Sequence, residues 1–266
     1  MTDAADLLAS YDAQLRGGNE VRSAVSSVRL GPLWIAVFGG DRGFITYRDL
    51  DGVRGAALDA LVTEALALAA ADPAVTTVEW KTRGHDAIDG LHEVLLANGF
   101  VPDEPESIMI GAAELLAQDL PLPAGVHLRS VTSDDDLRRA SAAADRAFGD
   151  EPSEHRVADL IGRVARGAEV WIAEADGQIV SSGRLEPVPG TGFAGIWGGA
   201  TTPEWRRRGV YRALTAERAR SAVRRGVRFI TSDSTEFSRP ILERSGFTKV
   251  STTTPYEWQR QDVTAG

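Results

Sequence analysis

The sequence contains no cysteine, two methionines and four histidines among 266 residues. Without cysteine there is no disulfide, no thiolate metal site and no cysteine nucleophile. No stretch approaches the roughly 18 consecutive apolar residues that a membrane span requires, so no membrane partner is expected. The opening segment "MTDAADLLASYDAQLRGG" lacks a basic region followed by an apolar block, so a secretory leader is not expected and the cytoplasm is the expected location. His85 and His92 stand seven apart without close acidic companions, which gives no reason to expect a bound metal. Ser232 and Ser234 have no histidine near them in a recognisable motif, so no hydrolytic triad is expected there.

What the chain does have is an uneven charge. The net charge of −9 divides sharply: residues 1–120 carry 8 Lys+Arg against 19 Asp+Glu, whereas residues 121–266 carry 21 against 19. The acidic first half argues against general nucleic-acid binding, which needs a basic surface to neutralise phosphates. In the second half, positive charge is concentrated between Arg206 and Arg228, a pattern suited to local handling of one anion.

The segment around Pro121, Pro123 and Gly125 interrupts any regular element and suggests a linker at 112–125 between domains at 1–111 and 126–266. In the first half the pattern predicts a helix over 3–15. Strands follow at 33–39 and 43–49 around a Gly39–Gly43 turn. A helix over 55–72, a strand at 75–80, a helix over 87–99 and a strand at 106–112 complete it. The second half predicts a strand at 126–131, helices at 132–148 and 154–167, and a hairpin at 169–188 turning on Asp176-Gly177. Then come a strand at 193–201, one helix from Pro203 to Arg225, a strand at 227–234, a helix at 238–246, and two strands, 247–253 and 255–259. Both halves end on a helix closing in Gly-Phe, "LLANGF" and "LERSGF", so a repeat is carried by the order of elements.

The stretch "IWGGATTPEWRRRGVYRAL" poses a physical question, because cations at a helix start oppose the macrodipole. A bound anion resolves it. Gly198, Gly199, Ala200 and Thr201 are small enough for a ligand to lie against the backbone, Pro203 suits a first helical turn, and free N–H groups there form a phosphate site. The run Arg206-Arg207-Arg208-Gly209-Val210-Tyr211 resembles the acyl-CoA-binding motif of the GNAT superfamily of N-acyltransferases, Gln/Arg-x-x-Gly-x-Gly/Ala, with Tyr211 in place of the last small residue. The resemblance covers roughly 126–260, and "SRPILERSGF" resembles the family's following motif.

This resemblance implies an α/β (α+β) fold, a mixed, mostly antiparallel sheet flanked by helices, in two tandem domains. It implies acetyl-CoA as co-substrate, with no metal. Gly199, Ala200 and Thr201 would meet the acyl carbonyl and pantetheine arm. Arg206, Arg207, Arg208, Gly209, Val210, Tyr211 and Arg212 would form the pyrophosphate cradle, and Thr235 stands where the family often has an asparagine. The family's tyrosine acid falls at Leu242. The strand at 193–201 has no acid, so Asp233 and then Glu186 are the candidate general bases, with Glu151 and His155 as candidates for the acceptor side. Trp197 and Trp205 flank the motif. The first half resembles a degenerate copy, with Asp49 and Asp51 before its equivalent helix, where they would repel a diphosphate. The expected activity is acetyl transfer to a primary amine of a small molecule or peptide by direct attack, in a monomer or homodimer. The rival expectation is a non-catalytic acyl-CoA-binding regulatory module.

Overall fold

The computed structural model describes residues 3–39 and 41–261. Gly40, within the expected turn, and residues 262–266, within the expected second domain, lie outside them. In chain order the elements are α1 (Ala4–Gln14), β1 (Ser26–Leu30), β2 (Leu33–Phe38), β3 (Arg42–Tyr47), α2 (Ala56–Ala69), β4 (Thr77–Arg83), α3 (Leu91–Ala97), β5 (Val101–Pro102), β6 (Glu106–Ala112) and α4 (Ala113–Leu116). They continue with β7 (Val126–Val131), α5 (Asp134–Phe148), α6 (Glu154–Ala165), β8 (Glu169–Ala175), β9 (Gln178–Pro187), β10 (Phe193–Thr201), α7 (Val210–Arg224), β11 (Phe229–Ser234), α8 (Arg239–Ser245) and β12 (Thr248–Gln259).

The chain forms two units, one of residues 1–108 plus the stretch from Val250 onward, the other Met109–Lys249. This differs from the expected division in two ways. The C-terminal strand belongs with the first unit, because Thr253 to Gln259 pair antiparallel with Arg83 to Thr77 of β4. Residues 112–125 are also not a simple linker. Ala113 and Leu116 of α4 are buried with Leu242 and Phe247, so apolar residues ahead of the two prolines enter the core of the second unit.

In the first unit β1–β2 and β2–β3 are antiparallel, β3–β4 parallel and β4–β12 antiparallel. Leu58, Val62, Ala65 and Ala69, on one stripe of α2, pack with Leu33, Ile45, Tyr47, Trp80 and Phe100. In the second unit β7, β8, β9 and β10 form an antiparallel meander, β10 pairs in parallel with β11, and β6 is the next neighbour of β11. Alternation along β8 and β9 sends Val170, Ile172 and Ile179 to a core with Leu137, Ala140, Ala143 and Leu160 of α5 and α6. Ala173 and Val180 pack with Val210 at the start of α7. Helix α7 buries small residues, Ala213, Ala216, Ala219 and Ala222 among them, which lets it lie close to its sheet.

The repeat is visible as topology. A parallel pair bridged by a helix, β3–α2–β4, recurs as β10–α7–β11, each preceded by an antiparallel neighbour. Two further expectations are corrected. The helix over 203–225 is a 3-10 turn, Pro203–Trp205, a loop, and then α7. The strands at 247–253 and 255–259 are one, because Pro255 removes a single donor while pairing with β4 continues on both sides of it. β1, β5 and α4 were not foreseen.

Candidate active site

The site of the second unit starts from a break in strand pairing. β10 and β11 pair only at Phe193↔Phe229, Ala194↔Ile230 and Gly195↔Thr231, so the two strands part beyond Gly195. On its other side β10 slips register against β9 between Trp197 and Ala200, placing Gly198 and Gly199 opposite the single residue Gly183. This is a β-bulge, and Gly198 takes φ +59°, a conformation that suits glycine. Gly199 is required for another reason: a Cβ there would come within 2.9 Å of the Tyr211 hydroxyl and 2.5 Å of its ring. Ser181 Oγ donates to Ala200 O at 2.7 Å and lies 2.8 Å from Thr201 Oγ1, tying the end of the bulged strand to β9.

After the 3-10 turn, Arg207 has φ +62° and Gly209, the residue capping α7, has φ +83°. These left-handed steps explain why the arginines stand in the loop ahead of the helix rather than inside it. Arg206 and Arg207 form a turn, the backbone N–H groups of Gly209 through Arg212 after it have no acceptor among the described residues, and the first intrahelical donor is Ala213 to Gly209 O. Successive unbonded amides at a helix start are the arrangement an anion site requires. The arginine side chains divide their roles. Arg206 donates to Thr201 O at 3.0 Å and Ala147 O at 2.7 Å, so its guanidinium clips the loop to the end of α5. Arg208 lies 4.9 Å over the ring of Trp205. Arg212 Nε is buried with no partner among the described residues. These features fit a diphosphate-bearing group.

The first unit resolves the equivalent loop differently. Its β2–β3 ladder runs from Leu33↔Tyr47 to Phe38↔Arg42 without a slip. Asp51, at φ +53°, donates its N–H to Asp49 Oδ1 at 2.6 Å.

The remaining expected residues are spread around this centre. Glu186 is gripped by Arg184 Nε at 2.9 Å and Arg163 Nη1 at 3.4 Å. Asp233 lies on β11, past the point where it parts from β10. Thr235 organises the turn into α8, its hydroxyl 3.2 Å from Ser238 Oγ. Leu242 is 1% exposed in the apolar core, so a leucine there belongs to packing. Trp197 folds back over Gly195, whose Cβ would meet the indole at 2.2 Å. In the first unit His85 contacts Ser251 Oγ and Asp12 Oδ1, and His92 contacts the Tyr256 hydroxyl.

A cavity of about 200 Å³ opens beside the bulge, against α5 and α6 and including Gly183, Arg184 and Gly198 in its wall. Glu151 and His155 do not line it; their neighbours Asp150 and Arg156 do, together with Asp145. Sequence reasoning missed Asp145 and also Arg218. Both carried a signal, a charged residue on a helical stripe of otherwise small or apolar residues: Leu137, Ser141, Asp145 in α5 and Leu214, Arg218, Ala222 in α7. Arg218 is fully enclosed, bonds to Arg184 O and Thr215 Oγ1, and has no carboxylate partner among the described residues. Burial pushes its pKa below the usual arginine range.

A splayed parallel pair, a glycine bulge and an amide-lined helix start define the GNAT class of acyltransferases, which use an acyl-CoA co-substrate and an acceptor. Residues 127–250 match the family model described as an acetyltransferase (GNAT) domain. No curated protein matches the sequence. Among solved structures the chain is similar to a GCN5-related N-acetyltransferase from Kribbella flavida, at 19% identity over 98% of this chain and 96% of that one, TM-score 0.68. A GCN5-related N-acetyltransferase from Sphaerobacter thermophilus gives 19% identity, 87% and 78% coverage and TM-score 0.64. A tandem GNAT protein from the clavulanic acid biosynthesis pathway gives 19% identity, 86% and 79% coverage and TM-score 0.62.

Proposed function

We propose that the second unit transfers an acetyl group from acetyl-CoA to a primary amine by direct attack in a ternary complex. The observation that carries this reading is the run of unbonded amides from Gly209 to Arg212, beyond the opening between β10 and β11. Bound there, acetyl-CoA would supply the thioester as electrophile. The amides of Gly209 to Arg212 would hold its diphosphate, with Arg208 and Arg212 adding charge and Arg206 fixing the loop. Backbone groups of Gly199, Ala200 and Thr201, with Thr235, would flank the pantetheine arm. The chain has no cysteine to carry an acyl group, which favours direct attack. Asp233, on β11 beyond the point where it parts from β10, and then Glu186 are the candidates to receive the amine proton. The Tyr211 hydroxyl lies beside Gly199 and would protonate the departing thiolate, the role Leu242 cannot fill.

On this reading the first unit is a degenerate copy whose loop is closed to diphosphate by Asp49, and the protein works in the cytoplasm as a monomer or homodimer. Among the described residues no helix is long and apolar enough to cross a membrane.

Thermal-shift titration with acetyl-CoA tests the site. Stabilisation of the parent protein is expected, and Gly209→Glu, which sets a carboxylate at the amide cradle, is expected to abolish it; an unchanged shift in that variant rejects the assignment. Thiol release with acetyl-CoA and an amine panel tests the chemistry. One observation favours a second reading, a non-catalytic acyl-CoA-binding module: the buried Leu242 at the family's tyrosine position. Tight binding with no turnover on any amine would support it.

A further inference from the structure

The cavity beside the bulge has an unbalanced wall. Its two arginines are already committed: Arg156 Nε donates to Asp145 Oδ1 at 2.8 Å, and Arg184 Nε to Glu186 Oε1 at 2.9 Å. Asp159 is likewise held, by Arg163 Nε at 2.7 Å. Arg184 keeps its Nη groups over, against Gly198, and the wall also keeps one acceptor over. Asp145 is 4% exposed, yet its Oδ2 is buried with no hydrogen-bond partner among the described residues. A carboxylate oxygen in that position calls for a donor, preferably a charged one.

The rest of the lining narrows the donor's character. Phe148 lines the same cavity although it is 61% exposed, an unusual position for a large aromatic side chain, and Leu160 and Val170 add apolar wall. Asp150, at the exposed rim, adds a second carboxylate with no partner among the described residues. With an unpartnered carboxylate oxygen in its buried wall, a second carboxylate at its rim and apolar side chains between, the cavity matches an organic ammonium ion with an apolar body. Its volume of about 200 Å³ suits a small molecule. Gly183 and Gly198 in its wall are the residues that face each other across the bulge, so an occupant lies beside the strand assigned to the thioester.

We propose that this cavity is the acceptor site, that its ligand is a small primary amine entering as the ammonium ion with an apolar flank, and that Asp145 Oδ2 accepts its N–H. The proposal rests on the N-acetyltransferase reading above and gives that reading a substrate class and a recognition residue.

The test uses the full chain with 2-phenylethylamine, benzylamine and hexylamine as probes, and 2-phenylethanol as the neutral counterpart. The amines are expected to raise the melting temperature and the alcohol to leave it unchanged. In Asp145→Asn the acetyl-CoA shift should persist, which also reports that the variant is folded. The amine shift should be lost, and KM for the amine should rise at least about tenfold with KM for acetyl-CoA within about twofold. Phe148→Ser, at an exposed position that does not endanger folding, is expected to weaken the amine at least about threefold. Arg156→Gln separates recognition from structure: a merely structural Asp145 would make the two charge variants alike in melting temperature and leave the amine KM unmoved in both. Equal response to amine and alcohol, no amine response in the parent, or an unchanged amine KM in Asp145→Asn overturns the proposal. If the parent shows no acetyl-CoA shift, the underlying reading fails; if that shift is present and the amine effects are absent, this inference alone fails.

Discussion

Arg218 and Arg83 are both enclosed in protein, one at 0% and the other at 3% exposure, but their surroundings differ. Burial would lower the pKa of Arg83, and the charge of Glu20 more than offsets it, with Thr46 Oγ1 and Lys81 O also accepting. Arg218 has carbonyl and hydroxyl partners and no carboxylate among the described residues, so burial dominates. A buried charge without an ion partner adds little net stability, whereas breaking a buried pair strands the survivor. Urea unfolding should therefore separate the two sites. Arg218→Met is expected to stay within about 1 kcal/mol of the parent, and Glu20→Gln to lose about 3–5 kcal/mol. A large loss in the first variant would show that Arg218 is held more favourably than its neutral partners allow.

Helix α5 shows how local charge organises an element. Ser133 caps it by accepting from Asp136 N at 3.2 Å, and Asp134, Asp135 and Asp136 fill its first turn, where the dipole favours acids. Arg129 of β7 donates to Asp136 and to Glu174 of β8, and Arg139 joins both. The hydrogen bond from Arg129 is the main cause that holds Asp136 down to about 2, against an ordinary 3.8, and the bond from Arg139 chiefly lowers Glu174. Folded values below unfolded ones mean that this stabilisation is complete above about pH 4 and fades as pH falls toward 2. Arg129→Met is expected to move the acid-unfolding midpoint upward, by an amount small enough to reflect exposed pairs worth under about 1 kcal/mol each, and to leave neutral-pH folding cooperative. Circular dichroism against pH would measure it. The same helix shows what was legible in the sequence. Its cap, its acidic first turn and the Asp176-Gly177 hairpin beyond it are local signals, and they could be read directly. The start of α7 could not, because the positive φ of Arg207 is imposed by the loop and leaves no mark in residue type. β12 was read as two strands because Pro255 is a local breaker whose lost donor the long ladder with β4 tolerates. Of the candidate site, the arginine–glycine loop ahead of α7 was legible as a motif, while the cavity beside the bulge depends on a pairing of α5 with α6, through Asp145 and Arg156, that no local spacing encodes.

At the scale of the whole molecule, the chain leaves the first unit within β6 and returns to it within β12. Seven residues of β12 pair with β4, Tyr256 belongs to the first unit's core, and Trp258 packs against it. The second unit by contrast is continuous from Met109 to Lys249. A chain ending at Lys249 should keep the acetyl-CoA thermal shift assigned to the second unit and lose the protection of β3 and β4 in hydrogen exchange. Retained protection there would show that the first unit is complete without its last strand. On the ribosome the same routing reverses the usual order of assembly. Domains generally fold from the N-terminus as they emerge, yet here residues up to 108 lack a strand until translation has passed β12. At about 5–20 residues per second, β4 spends on the order of ten seconds or more with one edge unpaired, an interval in which a chaperone or another nascent chain competes for it.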